Sequence, residues 1–154
     1  MKFNLFLFIA IVVVAANCGK DKFQTKPTVS IKSYNTKIVS ANGTLRVILE
    51  VTDKEGDAQD SVIIIKNRLN RRVVATIRDT IRYKFPTFPK TSKIQAEATL
   101  DYQTILSAIN PPTIPGSNPL QKEPDTLKLK FAVRDNAGHT SDTVTSQQII
   151  VIRQ

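Results

Sequence analysis

Hydrophobic and polar residues alternate with a period of two in two stretches of the chain, residues 45–52 and 126–134. Residues 45–62 match residues 127–144 at a constant offset of 82 residues, without a gap. A period of two predicts a β-strand with one buried face, because successive side chains point to opposite sides. The predicted buried faces carry Leu45, Val47, Leu49 and Val51 in the first strand, and Leu127, Leu129, Phe131 and Val133 in the second.

Both strands run into the sequence Asp-x-x-Gly, and a further strand, over 60–66 or 141–152, follows each turn. The aspartate is suited to accept hydrogen bonds from backbone N–H groups of the turn, and the glycine supplies the positive φ that closes it. The turn residues are Asp53 and Gly56 in the first copy and Asp135 and Gly138 in the second. We therefore predict one β-hairpin, used twice.

Further strands are predicted over 28–34, 72–85 and 94–100, with a turn near 78–80 inside the second of these. The continuous apolar run 62–65 predicts a strand that is covered on both sides. The total is about seven strands.

Between the predicted strands 94–100 and 126–134 the alternation stops. Asp101 opens this region and is suited to cap a short helix. Five prolines and one glycine fall within residues 110–124, which predicts a long exposed loop. Such a loop serves either as a binding element or as a plain connection between sheets.

The recurring Val-x-Asp-x-x-Gly sequence, at residues 51–56 and 133–138, resembles that of bacterial immunoglobulin-like modules, the broad group with polycystic-kidney-type and cadherin-like repeats. The resemblance spans roughly residues 27–152. It implies an all-β fold, an immunoglobulin-like antiparallel β-sandwich of about seven strands over residues 28–154. In that family the first motif lies on the B–C hairpin and the last on the F–G hairpin. The resemblance implies little about function, since one fold hosts many functions.

A basic segment coincides with the predicted strand 72–85. If that strand is extended, one of its faces carries Arg72, Arg78, Arg82 and Lys84. Alternate residues lie ~6.6 Å apart, and arginine suits bidentate contact with carboxylate or phosphate. One interpretation is an anion-binding face for acidic glycan, lipid phosphate or an acidic protein. The other is a solvated face whose charges keep a sheet edge from aggregating.

The N-terminus carries an apolar run over residues 3–16, interrupted only by Asn4 and followed by the single cysteine, Cys18. About 14 apolar residues are too few to cross a bilayer core, which takes ~20. The run therefore predicts a signal peptide over 1–17. The sequence Ala-Ala-Asn-Cys at its end resembles the bacterial lipobox, whose cysteine is acylated. This implies lipidation at Cys18, a tether over 18–27 and anchoring in the bacterial cell envelope.

Ordinary signal cleavage after Ala16 is the alternative, because the preceding small residues also suit that peptidase. Cleavage there would release a protein with one unpaired thiol into an oxidising compartment, which is an unusual outcome. Gly19 is not an acidic inner-membrane retention signal. The outer membrane, on its periplasmic or surface face, is therefore the expected location.

Composition narrows the choice of partners. The formal charge is +9, and Lys2 is the only charged residue of the predicted signal peptide, so residues 18–154 carry +8. This charge favours acidic partners. One cysteine permits no internal disulfide, so packing alone must hold the fold. The compartment and the lack of interleaved aromatics argue against nucleic acid, and no cofactor is expected.

The acidic turns raise the question of calcium, which takes several closely spaced oxygen ligands. The weak candidates are Asp53, Asp57 and Asp60. A structural turn without metal is the favoured interpretation, because the Asp-x-x-Gly turns account for two of the acids. His139 lies near a serine and an aspartate in sequence, but a catalytic triad needs geometry from separate elements. We expect no catalysis.

Three functions stay open. The first is a lipid-anchored binding or interaction module of the envelope. The second is a structural or accessory lipoprotein that pairs a sheet edge with a partner by β-augmentation. The third is a small carbohydrate-binding lipoprotein, which a shared exposed face for Tyr34, Tyr83 and Tyr102 would favour.

Overall fold

The computed structural model describes residues 26–153, so the predicted signal peptide, Cys18 and most of the tether lie outside the described residues. Residues 26–153 form nine strands and one short helix. In chain order these are β1 (Thr28–Tyr34), β2 (Ile38–Val39), β3 (Thr44–Thr52), β4 (Ser61–Arg68), β5 (Thr80–Lys84), β6 (Lys93–Asp101), α1 (Tyr102–Ile105), β7 (Asp125–Arg134), β8 (Val144–Thr145) and β9 (Ile149–Val151). Within this range no helix has the length and apolar character needed to cross a membrane.

The strands form two sheets that enclose one hydrophobic core. The smaller sheet has the order β1-β3-β6, with antiparallel pairing throughout. The larger sheet has the order β2-β9-β7-β4-β5, and β8 pairs with β7. Its pairings are antiparallel except that of β2 with β9. The prediction of an all-β sandwich is confirmed.

The core is centred on β3 and β7, the two strands of the repeat. All eight side chains that the alternation predicted to be buried are fully buried. Burial of one Val, Leu or Phe side chain contributes about 1.5–3 kcal/mol to folding. The repeat therefore places one central strand in each sheet.

The prediction that residues 45–52 and 60–66 form a hairpin is wrong. β3 pairs with β1 and β6 in the smaller sheet, whereas β4 pairs with β5 and β7 in the larger one. The connection at 53–60 therefore crosses from one layer to the other. The second copy does form a hairpin, since β7 and β8 pair antiparallel. The turn sequence determines the local path of the chain, but it does not determine which strand β4 pairs with. β4 pairs with β7 at eight positions.

Only the last part of the predicted strand 72–85 is a strand, namely β5. The preceding segment is irregular and makes one isolated bridge, from Thr76 to Ala108. Val73, which would lie on the apolar face of an extended strand over 72–85, is 97% exposed. Alternation without a neighbouring strand to pair with does not produce a strand here.

The apolar run 62–65 is covered on one side, not on both as predicted. Val62 and Ile64 are buried between the sheets, whereas Ile63 and Ile65 are half-buried. The reason is that no second layer covers the outer face of the larger sheet within the described residues.

The last predicted strand, 141–152, is divided into β8 and β9. Between them the hydroxyl of Ser146 accepts from the backbone N–H of Leu129 at 2.9 Å and donates to the carbonyl of Gln147 at 2.6 Å. The Ser146 hydroxyl thus replaces a backbone carbonyl as the acceptor for the N–H of Leu129 on β7, and the strand is interrupted at this point. The short strand β2, which the sequence pattern did not predict, pairs with β9.

The predicted helix cap is present. Oδ1 of Asp101 accepts from the backbone N–H of Thr104 at 2.7 Å, and α1 begins at the next residue, Tyr102. The same hydrogen bond lowers the pKa of the Asp101 carboxyl. One turn of helix therefore ends β6 and directs the chain towards the long connection to β7.

Candidate binding surfaces

The outer face of the larger sheet collects basic side chains from β5 and β7, the two strands on either side of β4. Three rows cross this face: Lys84–Ser61–Arg134, Arg82–Ile63–Ala132 and Thr80–Ile65–Lys130. Lys128, two residues along β7 from Lys130, shares the same side. We call the basic side chains Arg82, Lys84, Lys128, Lys130 and Arg134 the cationic face.

The cationic face has little internal compensation. Within residues 26–153, four of its five members make no ion pair. The fifth, Arg134, lies 4.0 Å from the carboxylate of Asp60. Half-buried Ile63 and Ile65 lie between the two basic strands. The arrangement is a positively charged surface on both sides of an apolar strip, and it can attract anionic groups.

The four residues of the predicted anion-binding face are divided by the structure. Arg82 and Lys84 lie on β5, as part of the cationic face. Arg72 and Arg78 lie in the irregular segment before it and are exposed. Nη1 of Arg72 donates to the carbonyl of Thr113, 3.3 Å away, in the long loop. The four do not form one row on one strand.

Sequence reasoning missed the contribution of β7 to the cationic face. Lys128 and Lys130 occupy the polar positions of the same alternation that predicts the buried face of β7. That signal was therefore available in the sequence. The position of β7 beside β4 and two strands from β5 was not, because it depends on which strands pair.

A second surface is a groove of about 620 Å³ between the free edges of the two sheets, β5 on one side and β6 on the other. Buried Leu49 and Val62 contribute to its lining. Phe85 and Phe88, which also line it, meet edge to face with ring centroids 6.2 Å apart. The volume lies within the ~300–1,000 Å³ usual for binding clefts.

The groove exists because the smaller sheet is too narrow to cover the larger one. Tyr83 of β5 pairs with Val62 and so lies on the inner side of its sheet, yet it is 40% exposed. On the opposite edge, β6 presents Ala96 and Ala98, whose small side chains leave space that larger residues would fill. The inner face of β5 is consequently exposed at Tyr83, whereas Ile81 on the same face is buried in the core.

The two Asp-x-x-Gly turns have closely similar geometry. Asp53 accepts from the backbone N–H of Asp57 at 2.9 Å, and Asp135 accepts from that of His139 at 2.7 Å. Both aspartates are buried, and the glycines at 56 and 138 have φ of +71° and +95°. The turns touch, since the N–H of Asn136 donates to the carbonyl of Asp57 at 3.0 Å.

These turns use their carboxylates for backbone hydrogen bonds. The part of the chain that the structure describes holds no group of three or more His, Cys, Asp or Glu side chains arranged to bind a metal. Asp60, the third calcium candidate, accepts from the hydroxyl of Ser61 at 2.9 Å. Desolvation, together with the carboxylates of Asp53 and Asp135, raises the pKa of Asp57.

A buried ionic cluster fastens the chain after α1 to the larger sheet. Asp125 is fully buried and accepts from Nε of Arg68 at 3.2 Å and from the guanidinium of Arg153. It also accepts from the backbone N–H of Ser107 at 2.8 Å. Nearby, Lys66 donates to the carbonyl of Leu106 at 2.7 Å, and burial lowers the pKa of this lysine. The cluster is a structural clamp for residues 104–108.

The remaining candidate side chains serve the fold. Nδ1 of His139 lies 3.1 Å from Oδ2 of Asp135, within one turn. The hydroxyl of Tyr102 donates to the carbonyl of Ile152, and that of Tyr34 accepts from the backbone N–H of Gln147. Of the three tyrosines only Tyr83 is exposed, whereas Tyr34 and Tyr102 are half-buried with their hydroxyls bonded to backbone, so the three do not present a shared exposed aromatic face.

No protein-family model, no curated protein and no solved structure matches this chain.

Proposed function

We propose that this chain is a lipid-anchored, non-catalytic binding module of the bacterial cell envelope. The observation that carries the proposal is the cationic face, where two strands present basic side chains on either side of Ile63 and Ile65. The partner is an anionic component of the envelope, either an acidic glycan or a phosphate-bearing lipid surface. The module needs no cofactor for this role.

The domain is, in this proposal, immunoglobulin-like. The strand order supports the assignment, because β3 and β6 are neighbours in one sheet while β4, β7 and β9 lie together in the other. These positions correspond to strands B and E and to strands C, F and G of the immunoglobulin fold. In such a fold the connection from B to C crosses between the sheets, as the first Asp-x-x-Gly turn does.

The anchor explains why a partner in the envelope is favoured. A flexible linker of ten residues has a reach of roughly 16–19 Å, and about ten residues separate Cys18 from the start of β1. Lys26 enters the domain beside Asp142, with 2.6 Å between Nζ and Oδ1. That site follows the 135–139 turn, at the end of the sheet where Arg134 lies. The cationic face is thereby kept close to the membrane surface.

Fatty-acid labelling of cells that express the full-length chain tests the anchor. We expect Cys18→Ala to abolish incorporation of the label and to move the protein to the soluble fraction. Membrane association that persists without label would refute the anchor.

Binding to two anionic probes tests the cationic face. Full-length protein in detergent micelles is titrated with polygalacturonate and, separately, with phosphatidylglycerol vesicles. The variant pair is Lys128→Gln/Lys130→Gln, with Lys37→Gln/Lys90→Gln as a control of equal charge elsewhere. Each cation near an anionic surface contributes ~1 kcal/mol, so we expect the loss of two lysines to weaken binding by about thirtyfold. The probe that shows this loss identifies the partner class. Equal losses of affinity in the Lys128→Gln/Lys130→Gln variant and in the control variant would refute specific binding at the cationic face.

A structural or accessory lipoprotein is the second candidate, and the free edge of β6 favours it. Such a protein would pair that edge with a partner by β-augmentation.

A further inference from the structure

We propose that the outer side of β4 binds one extended chain of an acidic glycan, a polyuronate, lengthwise between the basic side chains of β5 and β7. This inference rests on the proposed function, because it uses the cationic face, and it names one of the two anionic partners. We call the outer side of β4 from Ser61 to Asn67 the β4 strip. It is ~20 Å long, since alternate residues lie ~6.6 Å apart.

The spacing of charge along the β4 strip supplies the first argument. Each of the three successive outward positions 63, 65 and 67 of β4 has one basic side chain beside it. In the same order, these side chains are Arg82, Lys130 and Lys128. A polymer that lies along β4 therefore meets one cation about every 6.6 Å. Anionic groups repeated along a chain match this row, whereas a single small anion uses only one position.

The end of the β4 strip at Ser61 continues the same row. Lys84 and Arg134 lie on either side of Ser61, and the carboxylate of Asp60, 4.0 Å from Nε of Arg134, offsets one of the two. The hydroxyl of Ser61 donates to Asp60 at 2.9 Å and holds its carboxylate at this end. Four successive positions thus have one net positive charge each. Asp60 repels a further anionic group, so it sets where the bound chain ends.

The floor of the β4 strip favours a sugar chain over a row of phosphates. Ile63 and Ile65 are half-buried, and no second layer covers them within the described residues. The two basic strands lie about 9.6 Å apart, because each strand spacing is ~4.8 Å. A pyranose ring has apolar C–H groups on its faces and carboxylate and hydroxyl groups at its edges. It can therefore lie on the isoleucines while its edges reach the cations, which removes apolar surface from water on both partners.

The same floor argues against a bilayer surface as the partner. An apolar side chain that enters a membrane has to pass the lipid headgroups ahead of its charged neighbours. Here the isoleucine side chains are shorter than those of Arg82 and Lys84, which are exposed beside them. A flat bilayer would meet the charged ends first and leave the isoleucines in water. A chain that is one sugar wide fits between the two basic strands and reaches the floor.

A length series of oligogalacturonates tests lengthwise binding. Full-length protein in detergent micelles is titrated calorimetrically with digalacturonate, tetragalacturonate, hexagalacturonate and octagalacturonate, and neutral cellohexaose is the comparison. We expect affinity to rise at least tenfold from the dimer to the hexamer. From the hexamer to the octamer it should rise by less than about twofold, because further sugars lie beyond the ~20 Å strip. Cellohexaose should not bind.

Two variants that add the same charge distinguish the β4 strip from a merely charged surface. Ile63→Arg places a long cation in the middle of the strip, whereas Thr145→Arg places one on exposed β8, on the other side of β7 from β4. We expect Ile63→Arg to weaken hexagalacturonate binding at least tenfold despite the added charge. Thr145→Arg should leave binding unchanged or make it stronger. Ile63→Gln, which removes the apolar floor without adding charge, should weaken binding about fivefold, and thermal unfolding midpoints show that each variant is folded.

Three results would overturn the proposal. The first is equal affinity for digalacturonate and hexagalacturonate, because binding would then use one position only. The second is stronger binding by Ile63→Arg than by the wild type, which would mean that charge alone acts. The third is binding of phosphatidylglycerol vesicles without binding of hexagalacturonate, which would leave the proposed function intact with a lipid partner. Absence of binding to both probes would refute the proposed function together with this inference.

Discussion

The same turn sequence occurs twice in this chain and makes two different connections. The turn at 53–56 carries the chain from the smaller sheet to the larger one, whereas the turn at 135–138 closes a hairpin within the larger sheet. In both, a buried aspartate accepts the backbone N–H four residues later, and a glycine adopts positive φ. The comparison shows that one local turn is compatible with two topologies.

The two turns also differ at one equivalent position. Asp57 follows the first glycine and His139 follows the second, each four residues after the buried aspartate. In the first turn two carboxylates are neighbours, and Oδ1 of Asp57 is buried without a hydrogen-bond partner. In the second, the histidine ring lies 3.1 Å from the aspartate. The first turn is therefore the more strained electrostatically and the more crowded.

Alanine at the two glycines should give the largest difference between the turns. A Cβ on Gly56 would lie 3.1 Å from the backbone N of Thr91, whereas one on Gly138 would meet only the mobile end of the Arg134 side chain, at 3.3 Å. Positive φ alone costs ~1–2 kcal/mol. We expect Gly56→Ala to cost about 3 kcal/mol and Gly138→Ala about 1–2 kcal/mol in the free energy of unfolding. Urea titration followed by circular dichroism measures both, and equal losses would contradict the crowding argument.

Removal of the buried carboxylates should cost somewhat less. Asp53→Ala leaves the backbone N–H groups of Glu55 and Asp57 without this acceptor, and Asp135→Ala leaves that of His139, at about 1–3 kcal/mol in each case. We expect Asp135→Ala to be the worse, because its shorter hydrogen bond is joined by the contact with His139. The same urea titration applies. A larger loss for Asp53→Ala would mean that the crossing turn depends more on its carboxylate than the hairpin does.

Exchange of the two distinguishing residues should move stability in opposite directions. Asp57→His removes a like-charged neighbour of Asp53, and His139→Asp creates one beside Asp135. We expect a gain of about 0.5 kcal/mol from the first and a loss of about 1 kcal/mol from the second. Thermal unfolding midpoints of the two variants and the wild type give the signs. Shifts in the same direction would show that charge is not what separates the turns.

The smallest expected effect concerns pH. Because desolvation and neighbouring carboxylates raise the pKa of Asp57, ionisation of this group opposes folding. Its contribution to stability is therefore favourable below the ordinary range for aspartate and is lost as the pH rises through the raised pKa. Asp57→Asn should match the wild type in acid and exceed it at neutral pH by up to about 0.5 kcal/mol. The measurement is the free energy of unfolding of both proteins at pH 3 and pH 7. If Asp57→Asn were more stable than the wild type only at pH 3, the predicted direction of the pKa effect would be wrong.

Strong alternation predicted structure well where a strand pairs on both sides. Both strands of the repeat and the inward side chains of β3 and β7 were predicted correctly, as was the Asp101 helix cap. Alternation over 72–79 was misleading, since no strand lies there to pair with it. The prediction of the first hairpin was wrong for a related reason. The sequence of residues 45–66 contains no information on the pairing of β4 with β7, because β7 lies far away in the chain.

The binding surfaces illustrate the same limit. Arg82 and Lys84 were predicted as anion-binding residues from one strand, and Lys128 and Lys130 joined them only when β4 brought β5 and β7 together. The groove had no counterpart in the sequence analysis. It results from a three-stranded sheet facing a larger one, and strand number per sheet is a property of pairing.

The sequence by itself determined the local features of residues 26–153: strand positions with one apolar face, turns built on Asp-x-x-Gly, and a cap at Asp101. These depend on residues that are near in sequence, where backbone geometry and side-chain period act directly. The tertiary structure decided which layer each strand joins, where the basic side chains meet, and which edges remain free. These depend on contacts between residues far apart in sequence, whose energies are settled only when competing pairings are compared in the folded chain.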